Sequence, residues 1–75
     1  MRVEVVMRPF GTYIAPMATA DVFSEDGTLK IYDPSGRYLN AKFYRGEWAT
    51  ATGLDAMGNQ VFRLEAGNPQ RQQAS

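Results

Sequence analysis

Apolar and polar side chains alternate through residues 28–33, 37–45 and 60–66, and each of these runs adjoins a glycine-bearing corner. Successive side chains of a strand point to opposite faces, so this alternation predicts strands with one buried and one solvated side. The corners are "SEDGT" at 24–28, "DPSGR" at 33–37, "YRGEW" at 44–48 and "GLDAMGN" at 53–59. Asp-Gly accepts positive φ at both central positions of a tight turn, and Pro34 followed by Gly36 presets another, so all four corners read as hairpin turns. The segments between them are rich in Val, Ile, Thr, Tyr, Phe and Trp at strand length. Strands are expected near 2–8, 28–33, 37–45, 47–52 and 60–66. Residues 12–23 are extended but open to two readings, because Pro16 lacks a ladder donor and suits an edge or bulge, whereas "MATADVF" also fits a short helix.

Alternation also sorts the faces. Val3, Val5 and Met7, Leu29 and Ile31, Leu39, Ala41 and Phe43, and Phe62 and Leu64 form the inner set. The opposite parity holds Arg2, Glu4 and Arg8, Lys30 and Tyr32, Tyr38, Asn40, Lys42 and Tyr44, and Arg63 and Glu65. In "EWATAT" the phase is ambiguous between a buried Trp48 and buried Ala49 and Ala51, and a buried Trp48 is the favoured reading. The expected fold is therefore all-β, a small antiparallel meander of five or six strands. It covers its apolar face as a partly closed barrel, as a bent sheet or as a sandwich completed by a second subunit. Residues 1–66 make the single β domain, and residues 67–75, which carry no large apolar side chain, are expected to be a flexible tail.

Composition narrows the chemistry. A chain of 75 residues makes one domain with a thin core, and the absence of Cys and His removes disulfides and thiolate or imidazole metal sites. Self-association is the remaining way for so small a domain to gain buried area, so a homo-oligomer is expected. The missing histidine and cysteine also remove the commonest general base and the best side-chain nucleophile, so a non-catalytic protein without a cofactor is expected. Glu25, Asp26, Asp33 and Asp55 lie at turns, where Asp bonds its own backbone, and they lack the alternating pattern of a calcium loop. No phosphate loop, nucleophile elbow or dinucleotide fingerprint is present. Neither a secretion signal nor a run of apolar residues long enough for a membrane span appears, so a cytoplasmic protein is expected.

The chemistry that remains is aromatic. Pairing of 28–33 with 37–45 across the Pro34–Gly36 turn would set Tyr32, Tyr38, Lys42 and Tyr44 on one outer face, a surface suited to a protein partner or to an inhibitory contact. The same face with Lys30, Arg37 and Arg45 suits unpaired nucleic-acid bases, although eight basic and eight acidic residues give zero formal charge and weaken that alternative. A third reading places a small ligand or a reaction in a cavity within a barrel or between subunits. A purely structural role for the tyrosines, stabilising the hairpin through cross-strand pairs, competes with all three. "YDPSGR" and "DAMGN" are similar to fragments of the YD repeat of large Rhs-type shell proteins, matching at Tyr32, Asp33, Gly36 and Arg37 and again at Asp55, Gly58 and Asn59. The resemblance is carried by turn residues and implies β-hairpins.

Overall fold

The computed structural model describes residues 1–23, 26–66 and 68–73, of which 22–23 and 68–73 are described by backbone alone. The chain folds into β1 (Arg2–Met7), β2 (Thr12–Ala15), β3 (Thr19–Phe23), β4 (Thr28–Tyr32), β5 (Leu39–Phe43), β6 (Trp48–Leu54), β7 (Gln60–Glu65) and β8 (Asn68–Gln73), with no helix among the described residues. Every pairing is antiparallel.

The strands do not form one meander. They form a five-stranded sheet in the order β2-β1-β6-β7-β8 and a three-stranded sheet in the order β3-β4-β5, and neither closes into a barrel. The chain enters the first sheet as the β1–β2 hairpin, crosses to the second at residues 16–18, and returns at residues 44–47. "YRGEW" is therefore a corner between sheets rather than a hairpin, closed by the Glu47 N–H donating to the Tyr44 carbonyl at 2.9 Å. The region left open between strand and helix is β2 and β3 with Pro16 between them, since Pro16 cannot donate to a ladder. Of the stretch expected as a flexible tail, 68–73 pair with β7 as β8, while Gly67 and residues 74–75 lie outside the described residues.

One core lies between the sheets. Val3, Val5, Ala15, Ala51, Phe62 and Leu64 line it from the larger sheet, Leu29 and Ile31 from the smaller, and Ala18 from the crossing. Trp48 is fully buried and its indole N–H donates to the Gly27 carbonyl at 2.9 Å, tying β6 of one sheet to the β3–β4 turn of the other.

Trp48 and Ala51 both face inward although their parities are opposite. The register explains it: Val6 pairs with Thr50 but Met7 pairs with Trp48, so Ala49 is an extra residue that shifts the phase of β6 by one. The Ala49 carbonyl is satisfied from outside the ladder by the Ala66 N–H at 3.0 Å. A second bulge in β5 has the same effect. Ile31 pairs with Ala41 and Tyr32 with Leu39, leaving Asn40 over, and Leu39, expected inside, stands 49% exposed. Ala41 and Phe43 keep the inner side, where Phe43 meets the Tyr13 ring of β2 edge-on at 5.5 Å.

Candidate interaction face

The turn that carries the site is built by one carboxylate. Asp33 Oδ1 accepts from Ser35 Oγ at 2.7 Å and from the Arg37 and Tyr38 N–H groups at 3.3 and 3.4 Å, while the Asp33 carbonyl accepts from the Gly36 N–H at 2.9 Å. Gly36 holds φ at 75°, a left-handed value that costs glycine nothing. The Ser35 hydroxyl, followed by the loop N–H groups, holds the Asp33 carboxyl below its ordinary value. The β6–β7 turn repeats this construction, with Asp55 Oδ1 accepting from the Met57 and Asn59 N–H groups at 2.9 Å each. The two stretches that resemble a YD repeat are thus two copies of one Asp-led turn.

The β4–β5 pairing places Lys30 opposite Lys42 and Tyr32 opposite Leu39, with β3 adding Asp21 beside Lys30 and Thr19 beside Tyr32. Leu29 and Ile31 are buried between the sheets, so alternation sends Lys30 and Tyr32 to the outer side. Lys42 Nζ sits 4.8 Å from the centre of the Tyr44 ring, a cation–π contact within one strand end. Asp26, in the turn between β3 and β4, lies within electrostatic reach of Lys42, and its carboxyl is held below the ordinary value chiefly by the Thr28 backbone N–H.

Tyr32, Lys42 and Tyr44 therefore do share the outer region of the smaller sheet, with Tyr32 half-buried and Tyr44 58% exposed. Tyr38 is 69% exposed but sits one step beyond β5, because the bulge gives the place beside Tyr32 to Leu39. At strand rise, Tyr38 and Tyr44 are roughly 20 Å apart along the strand, too far for ring contact within one chain. The alternative cations divide as well. Lys30 lies mid-sheet, Arg37 in the β4–β5 turn, and Arg45 at the other end of β5, where its side-chain carbons pass over Gly27. Strict alternation could not have found Leu39, because an inserted residue leaves no mark in an apolar–polar pattern.

The interior holds no barrel lumen, since the sheets remain open. A surface groove of about 490 Å³ lies between the chain start, the Pro16–Met17 crossing and the β6–β7 turn, lined by Met1, Arg2, Glu4, Met17, Leu54 and Asp55 among others. Arg2 Nε and Glu4 Oε2 pair there at 2.9 Å. Among the described residues no three His, Cys, Asp or Glu side chains come together as a metal site. No helix of the described residues is long and apolar enough to cross a membrane. No family model, no curated protein and no solved structure matches the chain.

Proposed function

We propose that this protein is a non-catalytic binding module, with inhibition of its target as one use, and that it offers the β4–β5 surface to a protein partner. The observation that carries this reading is the exposure of Tyr38, Leu39 and Tyr44 on and beside one strand, on a scaffold whose core does not need them. Large flat side chains with few rotatable bonds lose little entropy on docking, and Lys42 on the Tyr44 ring adds a cation whose position is already set. Tyr32 and Leu39 form a cross-strand pair at the Tyr38 end of this surface. The separation of Arg37 from Arg45 disfavours the nucleic-acid alternative, which needs cations tracking one strand of phosphates.

Affinity purification from the source cells tests it with three baits: the wild-type chain, Tyr38→Ala/Tyr44→Ala, and Val61→Ala, which alters an exposed side chain of the other sheet. Proteins retained by wild type and Val61→Ala but lost from the double variant support the reading. Equal capture by all three overturns it.

A further inference from the structure

The corner at residues 44–47 brings together two arginines that are far apart in the sequence. Arg8 follows β1, and its backbone N–H donates to the Glu47 carbonyl at 3.0 Å, which pins the end of β1 to the corner that carries Arg45. The two side chains line one surface depression of about 210 Å³, with Gly46 and Ala66 completing its wall. A water molecule takes up roughly 30 Å³ of the liquid, so the depression has room for a group of several heavy atoms. The stem of Arg45 is held in place. Its Cβ, Cγ and Cδ lie 3.3–3.4 Å from where a Cβ would stand on Gly27, a buried residue whose carbonyl is fixed by the Trp48 indole. Arg45 therefore has less side-chain freedom to lose on binding than a fully solvated arginine.

The two carboxylates next in sequence to this lining are engaged elsewhere. Glu47 Oε1 accepts from the Tyr44 N–H at 2.7 Å, and Glu65 Oε1 pairs with Arg63 Nε at 3.3 Å. Among the described residues no ion pair engages Arg8 or Arg45. In a chain of zero formal charge, two guanidiniums thus share one concave spot with no carboxylate in its lining, and concavity concentrates their field. An oxyanion answers this arrangement, because each guanidinium presents a rigid fork of N–H donors that engages two oxygens at once. Two forks match a double charge. A phosphate monoester carries about 1.5 to 2 negative charges at neutral pH and three strong acceptor oxygens, whereas a carboxylate offers one charge and two oxygens. We infer that Arg8 and Arg45 form a binding site for a doubly charged phosphate group, free or carried as a monoester. Both arginines are exposed, so the affinity is weak and falls as salt rises.

Amide NMR spectra recorded during titration with inorganic phosphate at low ionic strength test this, on the wild type, Arg8→Gln, Arg45→Gln and Arg37→Gln. Arg37 is exposed in the β4–β5 turn and has no ion pair among the described residues, so its loss removes the same charge from outside the depression. In the wild type and in Arg37→Gln, the backbone amides of Arg8, Gly46 and Ala66 should shift along a saturable curve. The phosphate dissociation constant should rise roughly tenfold for each of Arg8→Gln and Arg45→Gln, each having lost one charge-assisted fork. Acetate, with a single charge, should bind roughly tenfold more weakly than phosphate. The same spectra show that each variant is folded. A titration with N-acetyl-phosphoserine amide separates the two sources: tighter binding than inorganic phosphate assigns the site to a phosphate carried on a side chain, and equal or weaker binding assigns it to the free ion. No saturable shift at those three amides, an equal loss in Arg37→Gln, or acetate bound as tightly as phosphate overturns the inference. The proposed β4–β5 binding role uses neither Arg8 nor Arg45, so the failure of either reading leaves the other standing.

Discussion

Gly53 offers a test in which two physical effects of opposite sign compete. It lies inside β6, between Val3 of β1 and Phe62 of β7, on the buried side of the sheet. Its φ is not in the left-handed region, so nothing in the backbone requires glycine. On conformational grounds Gly53→Ala should stabilise the fold by about 0.4–1 kcal/mol, because alanine has less freedom to lose. The surroundings say otherwise. A methyl group at Gly53 would fall 2.6 Å from Phe62 Cδ2 and from Met1 Sδ. Met1 is 40% exposed and its side chain can swing away, but the Phe62 ring is 1% exposed and packed between the sheets. Overpacking of this kind costs about 1–3 kcal/mol, so the clash prevails by about 1–2 kcal/mol. That is a large part of the roughly 4–11 kcal/mol expected for a domain of this size. Thermal unfolding followed by circular dichroism should show the midpoint of Gly53→Ala lowered by roughly 5–15 °C. Phe62→Leu removes the ring edge that the methyl group meets, so Gly53→Ala should cost less in that background, with a coupling of about 1 kcal/mol in a double-mutant cycle. A Gly53→Ala protein as stable as wild type, or a cycle with no coupling, would refute this account of the inter-sheet packing.

Three further outcomes are expected. Trp48→Phe should lower stability by about 1–3 kcal/mol in urea unfolding, because the Gly27 carbonyl loses its buried donor; a change below about 0.5 kcal/mol would show that this bond does not hold the sheets together. Gly36→Ala should destabilise by about 1 kcal/mol although no atom stands in the way of a methyl group, and Gly36→Asn should cost less, since asparagine tolerates φ near 75°; equal costs would point to packing instead. The carboxyls of Asp26 and Asp33 both titrate below their ordinary value in the fold, so their contribution is present above about pH 4 and is lost as acid carries the pH through the lower folded values. The urea midpoint should fall over that range, less steeply in Asp33→Ala, and identical profiles would remove Asp33 from the explanation.

Much of the fold is legible in the residues because turns are local. Asp-Gly at 26–27, Pro34 with Gly36, and Asp55 with Gly58 each adopt the corner their own chemistry favours, and the strands begin and end within a few residues of them. The buried faces of β1, β4 and β7 follow from alternation for the same reason. What alternation could not supply is the partner of each strand: the corner at "YRGEW" looks like the others, yet it passes the chain to the other sheet. Nor could it supply phase across an inserted residue. Ala49 and Asn40 each shift the pattern by one, which is why Trp48 and Ala51 are both inside and why Leu39, rather than Tyr38, stands beside Tyr32. Four of the aromatic-face residues named from the sequence lie at or near the β4–β5 surface, whereas Arg37 and Arg45 are held apart by the length of β5.

The tyrosines have a competing role as stabilisers of the β4–β5 hairpin, and the structure separates the two roles by what each ring touches. Tyr13 meets the inner-facing Phe43, so it serves the packing between sheets. Tyr38 and Tyr44 are both more than half exposed, and neither belongs to the core cluster or to the partly buried residues packed against it. The Tyr38 contribution to the turn runs through its backbone, whose carbonyl accepts from the Asp33 N–H at 2.9 Å and survives truncation of the ring. Tyr44 loses only its contact with Lys42, an exposed cation–π pair of about 0.5–1 kcal/mol. Tyr38→Ala/Tyr44→Ala should therefore unfold within about 1 kcal/mol of wild type in urea. If the hairpin instead depends on those rings, the double variant will lose several kcal/mol, and a lost partner would then reflect a lost fold. A near-unchanged midpoint together with lost capture would assign the rings to recognition, because little else in the chain would have been disturbed.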